Sequence, residues 1–204
     1  MKSATLLEAR PSTPKLIDQK LAGTLLFIGA AQFIVGMFLA EATYPGYSIS
    51  ENFISDLGVG PSASVFNSSV FLLGLTAVVA AYLLQRAFGQ LVVSVFFALA
   101  GVGAMGVGIF PESFGTGLVH TLASLVAFLF GGLSAIIAYK LEKPPLTYLS
   151  VVMGMIALLA LGLFLGNYFL GLGKGGMERM IAYPILLWVV GFGGYLMTFS
   201  LEKS

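Results

Sequence analysis

Six stretches of about twenty apolar residues, near 21–40, 66–85, 91–110, 118–139, 147–170 and 180–200, follow one another along the chain with little between them. A helix needs roughly 20 such residues to cross about 30 Å of hydrocarbon, and backbone polar groups in lipid must be satisfied within the segment. The pattern therefore predicts an all-α fold, a single bundle of six transmembrane helices. Composition agrees, since 58% of residues are hydrophobic and only 9% charged, which describes a chain whose solvent is lipid. The expected organisation is a polar segment over 1–20, a six-helix membrane domain over 21–200 and a tail over 201–204.

Basic residues orient the bundle. With the N-terminus in the cytoplasm, Lys2, Arg10, Lys15, Lys20, Arg86, Lys140, Lys143 and Lys203 fall inside, and Lys174 and Arg179 fall outside. That asymmetry is a positive-inside signal. Both termini are then cytoplasmic, and Glu41, Glu51, Asp56, Glu112 and Glu178 share the external face. The first twenty residues, broken by Pro11 and Pro14, are too polar for the apolar core of an export signal, so the first span is expected to remain as an anchor.

Several functions lose support at once. The chain has no cysteine, which removes disulfides, thiolate chemistry and the commonest ligands of structural zinc and iron–sulfur clusters. A net charge of +1, spread over separate loops, forms no stripe for phosphates, so nucleic acid is not an expected partner. No cofactor is implied. No internal repeat suggests an inverted-repeat transporter, and no ionisable residue falls at the middle of a span, Asn167 near the end of the fifth being read as the deepest amide.

The polar residues that remain are gathered. Ser50-Glu51-Asn52-Phe53-Ile54-Ser55-Asp56-Leu57-Gly58 follows the first span, Pro111-Glu112 follows the third, and the sole histidine, His120, begins the fourth. The 41–65 connection is long and carries apolar Tyr44, Tyr47, Phe53, Ile54 and Leu57, so it is expected to fold over the external face. Asn52, Ser55 and Asp56 at i, i+3 and i+4 would share one side of a helical turn, with Gly58 as a left-handed cap. Convergence would allow Asp56 or Glu112 to orient His120 as a general base, with Ser55 the nearest hydroxyl. Asn52, Glu112, Glu178 and Arg179 would contact a ligand. Each residue also has a plainer role: Ser55 and Asp56 as a cap or turn, His120 as an interhelical hydrogen-bonding group, Glu112 as a helix N-terminal carboxylate, and Glu178-Arg179 as an interfacial anchor, with Arg179 answering Asp56 or an anionic headgroup. A metal held by Asp56, Glu112 and His120 lacks any ligand-like spacing, and none is expected. Glycines recur along the spans; they read first as close packing within the chain, with a homodimer through one glycine face as the alternative.

The Asn52-to-Gly58 sequence, Pro61, Phe66 and the Phe110-Pro111 to His120 spacing resemble the uncharacterised prokaryotic membrane family called domain of unknown function nine-nine-eight. More distantly they are similar to the six-span family of Frag1, DRAM and Sfk1, although Leu57 stands where many eukaryotic members have threonine. The resemblance implies a six-helix fold, a prokaryotic cell membrane and some business with membrane lipids. The function expected from all of this is an external polar pocket that binds or processes a lipid headgroup or amphipathic small molecule. The alternatives are a membrane hydrolase or transferase using His120 and Asp56, and a structural or partner-binding scaffold.

Overall fold

The structure, a computed structural model that describes residues 13–198, contains six long helices: α1 (Thr13–Thr43), α2 (Ala63–Phe88), α3 (Leu91–Ile109), α4 (Leu118–Ile137), α5 (Leu146–Leu165) and α6 (Gly173–Thr198). Each is long and apolar enough to cross a membrane. Two 3₁₀ turns, Ser55–Gly58 and Ala138–Lys140, complete the described elements. The chain is an integral, multi-pass membrane protein. Lys2, Arg10 and Lys203, with most of the expected leading segment and the tail, lie outside the described residues.

The helices form a ring. Each packs on its sequence neighbours and α6 closes the ring against α1, as short connections between antiparallel helices favour. Gly89 makes one of those connections, turning left-handed at φ 68° and donating its N–H to the Gln85 carbonyl at 2.9 Å. The longer connections 44–62, 110–117 and 166–172 gather at one end of the bundle, the loop end; the opposite end is the turn end.

Small residues set the spacing between the helices. A Cβ on Gly101 of α3 would lie 2.6 Å from the Gly74 carbonyl of α2, one on Gly193 of α6 would lie 2.7 Å from the Gly23 carbonyl of α1, and one on Gly154 of α5 would lie 2.7 Å from the Gly132 carbonyl of α4. These glycines face one another within the chain, where missing side chains let backbones approach. Gly162 and Gly191, by contrast, have open space around them.

Polar side chains extend and clip the bundle. α1 begins at Thr13 rather than near 21, because Asp18 pairs with Arg86 on α2 at 3.1 Å and Gln19 donates to the Leu196 carbonyl on α6 at 2.9 Å. Asn167 is not inside a span: α5 ends at Leu165 and Asn167 lies in the connection with φ 60°. The amide at mid-membrane depth is Gln32, whose Nε2 donates to the carbonyls of Gly29 (2.9 Å) and Ser69 (2.8 Å), clipping α1 to α2.

Inside the ring, α1, α2, α3, α4 and α6 enclose a chamber of about 130 Å³. α5 packs on α4 and α6 and lines none of the chamber. The chamber reaches from Ile54, Ser55 and Glu178 at the loop end to Ser134 and Trp188. At roughly 1.5 Å per helical residue, Glu178 to Trp188 is about 15 Å, half the thickness of the hydrocarbon. Its wall is mostly Phe, Leu, Val, Ala and Gly.

Candidate functional site

Gly173-Lys174-Gly175-Gly176 reads as loop in sequence, because glycine disfavours helix, yet it forms the first turn of α6. The 44–58 connection lies against that turn. Gly175 N donates to the Ser50 carbonyl at 2.9 Å, and a Cβ on Gly175 would overlap the Asn52 carbonyl. Starting α6 at Gly173 carries Glu178 and Arg179 into its second turn, where only 6% and 4% of each residue is exposed. Neither is an interfacial anchor.

Arg179 holds the loop. Its Nη2 donates to Glu41 Oε1 at 2.5 Å and to the Tyr47 hydroxyl at 2.7 Å, while Nη1 donates to the carbonyls of Ile49 (3.1 Å), Asn52 (3.5 Å) and Gly175 (3.0 Å). The guanidinium also lies 5.6 Å from the centre of the Tyr47 ring. Only Nε is left without a partner. Arg179 therefore answers Glu41 rather than Asp56, and its planar fork is already spent on protein acceptors. Tyr47 passes the contact on, its hydroxyl donating to the Phe53 carbonyl at 2.8 Å. Burial pushes the Tyr47 phenol up to about 12, against the opposing pull of Arg179.

Glu178 takes the other side of the loop, Oε2 accepting from the Ile54 amide at 2.5 Å. Asp56 is turned back on its own segment, Oδ2 accepting from Asn52 Nδ2 and Phe53 N, both at 2.9 Å. Asn52 lies before the 3₁₀ turn rather than in it, and its Oδ1 accepts from Ser48 N at 3.0 Å. Leu57 and Ile54, 0% and 4% exposed, bury this turn in the core. Gly58 is not left-handed; the turn ends in extended Val59. Glycine is needed there because a Cβ would lie 2.6 Å from Asn67 Oδ1, and Asn67 Nδ2 donates to the Gly58 carbonyl at 3.0 Å.

Ser55 and Glu112 meet loosely, Ser55 Oγ donating to Glu112 Oε2 at 3.4 Å. His120, 6% exposed in the first turn of α4, has its Nδ1 2.9 Å from the Phe110 carbonyl. A carbonyl only accepts, so Nδ1 carries the proton in that bond. Among the described residues no hydrogen bond joins His120 to Asp56 or Glu112, and no three of the acidic and histidine side chains group as metal ligands. The structure thus brings Asn52 to Asp56, Ser55 to Glu112, and Glu178 and Arg179 to the loop backbone, and leaves His120 on the α3–α4 connection.

Charge at this end is mainly negative. Glu41, Glu51, Asp56, Glu112 and Glu178 face only Lys174 and Arg179. Arg179 is matched by Glu41, and Lys174 Nζ stands 4.4 Å over the Phe53 ring. Of these carboxylates, Glu178 lines the chamber, together with Ser55.

Other residues emerge only in three dimensions. Glu41 and Tyr47 complete the Arg179 clamp. At the turn end Glu142 is 8% exposed and accepts from Trp188 Nε1 at 3.3 Å. One signal pointed to it: a lone tryptophan in the middle of an apolar span needs an acceptor for its indole N–H.

Residues 27–195 match a family model described as "Protein of unknown function (DUF998)". No curated protein and no solved structure matches the chain. A match over most of the six-helix ring, from α1 to the last turns of α6, makes this chain a member of the DUF998 family.

Proposed function

We propose that the chamber and the polar loop end together bind one amphipathic molecule from the membrane. Its apolar chain lies between the helices and its polar group lies at Ser55, Glu112 and Glu178. The observation that carries this reading is the chamber itself, whose wall is apolar for about 15 Å and whose loop end is made by a hydroxyl and a carboxylate. Sites for small molecules have that construction, an apolar body with a few polar groups that fix orientation.

The surrounding charge selects the polar group. Asp56, Glu112 and Glu178 favour a cation or a hydrogen-bond donor, an amine or hydroxyl rather than a bare phosphate. The excess of basic residues at the turn end argues that the loop end faces outward. Binding is put forward over catalysis because His120 Nδ1 is engaged by the Phe110 carbonyl and Asp56 by its own loop.

The test uses n-decylamine and n-decanoate, equal in chain length and opposite in charge, added to the protein in lipid nanodiscs while thermal unfolding is followed. Decylamine should raise the melting temperature with saturation, as binding to the native state requires, and decanoate should not. Ala104→Phe, which fills the chamber wall, should abolish the effect, and Glu112→Gln should narrow the gap between the two probes. Equal responses to both probes would remove the charge argument. A decylamine effect that survives Ala104→Phe would remove the chamber.

A further inference from the structure

Behind the far end of the chamber, one hydrogen bond beyond its Trp188 wall, lies a second buried carboxylate, Glu142, and it is incompletely satisfied. Trp188 is part of the chamber wall, its ring stacked on Phe192 at 5.4 Å and 14° and tilted against Phe97 at 5.6 Å. The indole Nε1–H leaves that wall and donates to Glu142 Oε1 at 3.3 Å. Glu142 comes from the 141–145 connection between α4 and α5, outside the spans. Its other oxygen, Oε2, is buried and has no hydrogen-bond partner. Ser134 Oγ, which lines the chamber, is also buried without one.

We propose that the chamber is a proton-coupled binding site: a molecule that fills it is taken up together with a proton on Glu142, and Trp188 links the two events. The inference rests on the chamber being a ligand site, as proposed above.

A buried carboxylate with one oxygen lacking a donor is costly while ionised, and a proton on Oε2 removes the charge. Burial accordingly pushes the Glu142 carboxyl above the ordinary range, opposed by Ser150 and Trp188. The titratable and charged groups around it are Lys140 on the 3₁₀ turn, Lys143 beside it in the connection, and Tyr195 on α6, whose hydroxyl accepts from Lys143 N at 3.1 Å. From α5 comes the Ser150 hydroxyl, near enough to favour the carboxylate, although its own proton is directed to the Leu146 carbonyl at 2.9 Å. The 3.3 Å bond from Trp188 is thus the adjustable one, at the long end of the N–H···O range. A guest that presses on the indole lengthens it and withdraws a donor from the charged carboxylate, which favours the protonated form. By reciprocity, protonation favours the guest.

The test uses n-decanol, which does not titrate, with the protein in nanodiscs. Trp188 is the only tryptophan of the chain, so its emission reports the site directly. Without decanol, emission should shift in one step with pH in the wild type and stay flat in Glu142→Gln. Decanol affinity, read from the rise in melting temperature, should be about 5- to 10-fold tighter near pH 5 than near pH 9. Glu142→Gln should bind with no pH dependence, and Trp188→Phe, which keeps a ring and removes the N–H, should bind with a weakened one. Equal decanol affinity at both pH values in the wild type would overturn the coupling and leave the chamber reading intact. Absence of decanol binding at either pH would overturn both.

Discussion

The two ends of the bundle bury charge in opposite ways. At the loop end Arg179 gives five hydrogen bonds to Glu41, Tyr47, Ile49, Asn52 and Gly175, and Glu178 takes the Ile54 amide. At the turn end Glu142 has the indole of Trp188 on one oxygen and no hydrogen-bond partner on the other. An ionic network satisfied at all but Arg179 Nε fixes one geometry, because every alternative strands a charge. An unsatisfied carboxylate has a second state within reach, the protonated one. The first arrangement is suited to holding a loop, the second to responding.

The largest way to break that contrast is Arg179→Met. It strands Glu41 and removes the donor for the loop carbonyls of Ile49 and Asn52 and for the Gly175 carbonyl of α6, and loss of one partner of a buried pair costs roughly 3–5 kcal/mol. Thermal unfolding should report a loss of that size, and the 44–58 connection should become sensitive to protease. Glu41→Gln combined with Arg179→Met should recover part of the loss, since Glu41 is then no longer a stranded charge. A double variant no better than the single would mean that packing, not charge, dominates the clamp.

Gly175→Val attacks the same contact from the backbone. Its side chain would overlap the Asn52 carbonyl, and overpacking of this kind costs about 1–3 kcal/mol. Hydrogen exchange should rise over 44–58 while Trp188 emission at the turn end stays unchanged. A change at both ends would show that the chamber transmits strain along its length.

The third test sharpens the contrast with pH. The Glu142 carboxyl is raised by burial, so the folded protein holds its proton more tightly than the unfolded chain. Its contribution to stability is present on the acid side and is lost as pH rises through the folded value. Wild type should therefore lose stability on that rise, and Glu142→Gln should flatten the slope. The loop end differs: Tyr47, raised to about 12 from an ordinary value of 10.0, keeps its full contribution below about pH 10 and loses it as pH climbs through about 12. A slope on that rise that persists in Glu142→Gln would assign it elsewhere.

What the sequence discloses and what it hides follow from range. Six spans are legible because apolar run length is a local property that lipid enforces. The Asn52-Asp56 contact is local too, four residues apart, and the spacing announces it. The start of α6 is not legible: glycines at 173, 175 and 176 read as a helix breaker, and only the approach of a loop more than a hundred residues earlier makes them a requirement. With that start misplaced, Glu178 and Arg179 read as interfacial anchors or ligand contacts. Glu142 is hidden for the same reason, since between Lys140 and Lys143 it reads as a solvated turn until Trp188 supplies its partner. Gln32, by contrast, stands in plain view in the first span, and its amide needs a partner in lipid whatever the fold.

The smallest effect belongs to His120. Its Nδ1–H meets the Phe110 carbonyl just after α3 ends, so the ring ties the α3–α4 connection to the first turn of α4. A typical hydrogen bond contributes about 1 kcal/mol, and a buried carbonyl left without its donor costs a little more. His120→Ala should lower stability by about 1–2 kcal/mol, and His120→Asn, which retains a donor amide, should lose less. Both variants should still bind decylamine, because the ligand reading assigns His120 to the connection and not to the chamber. If His120→Asn preserves stability and abolishes decylamine binding, the ring reaches the ligand through Nε2, and the polar group of the guest then sits toward α4 rather than toward Glu178.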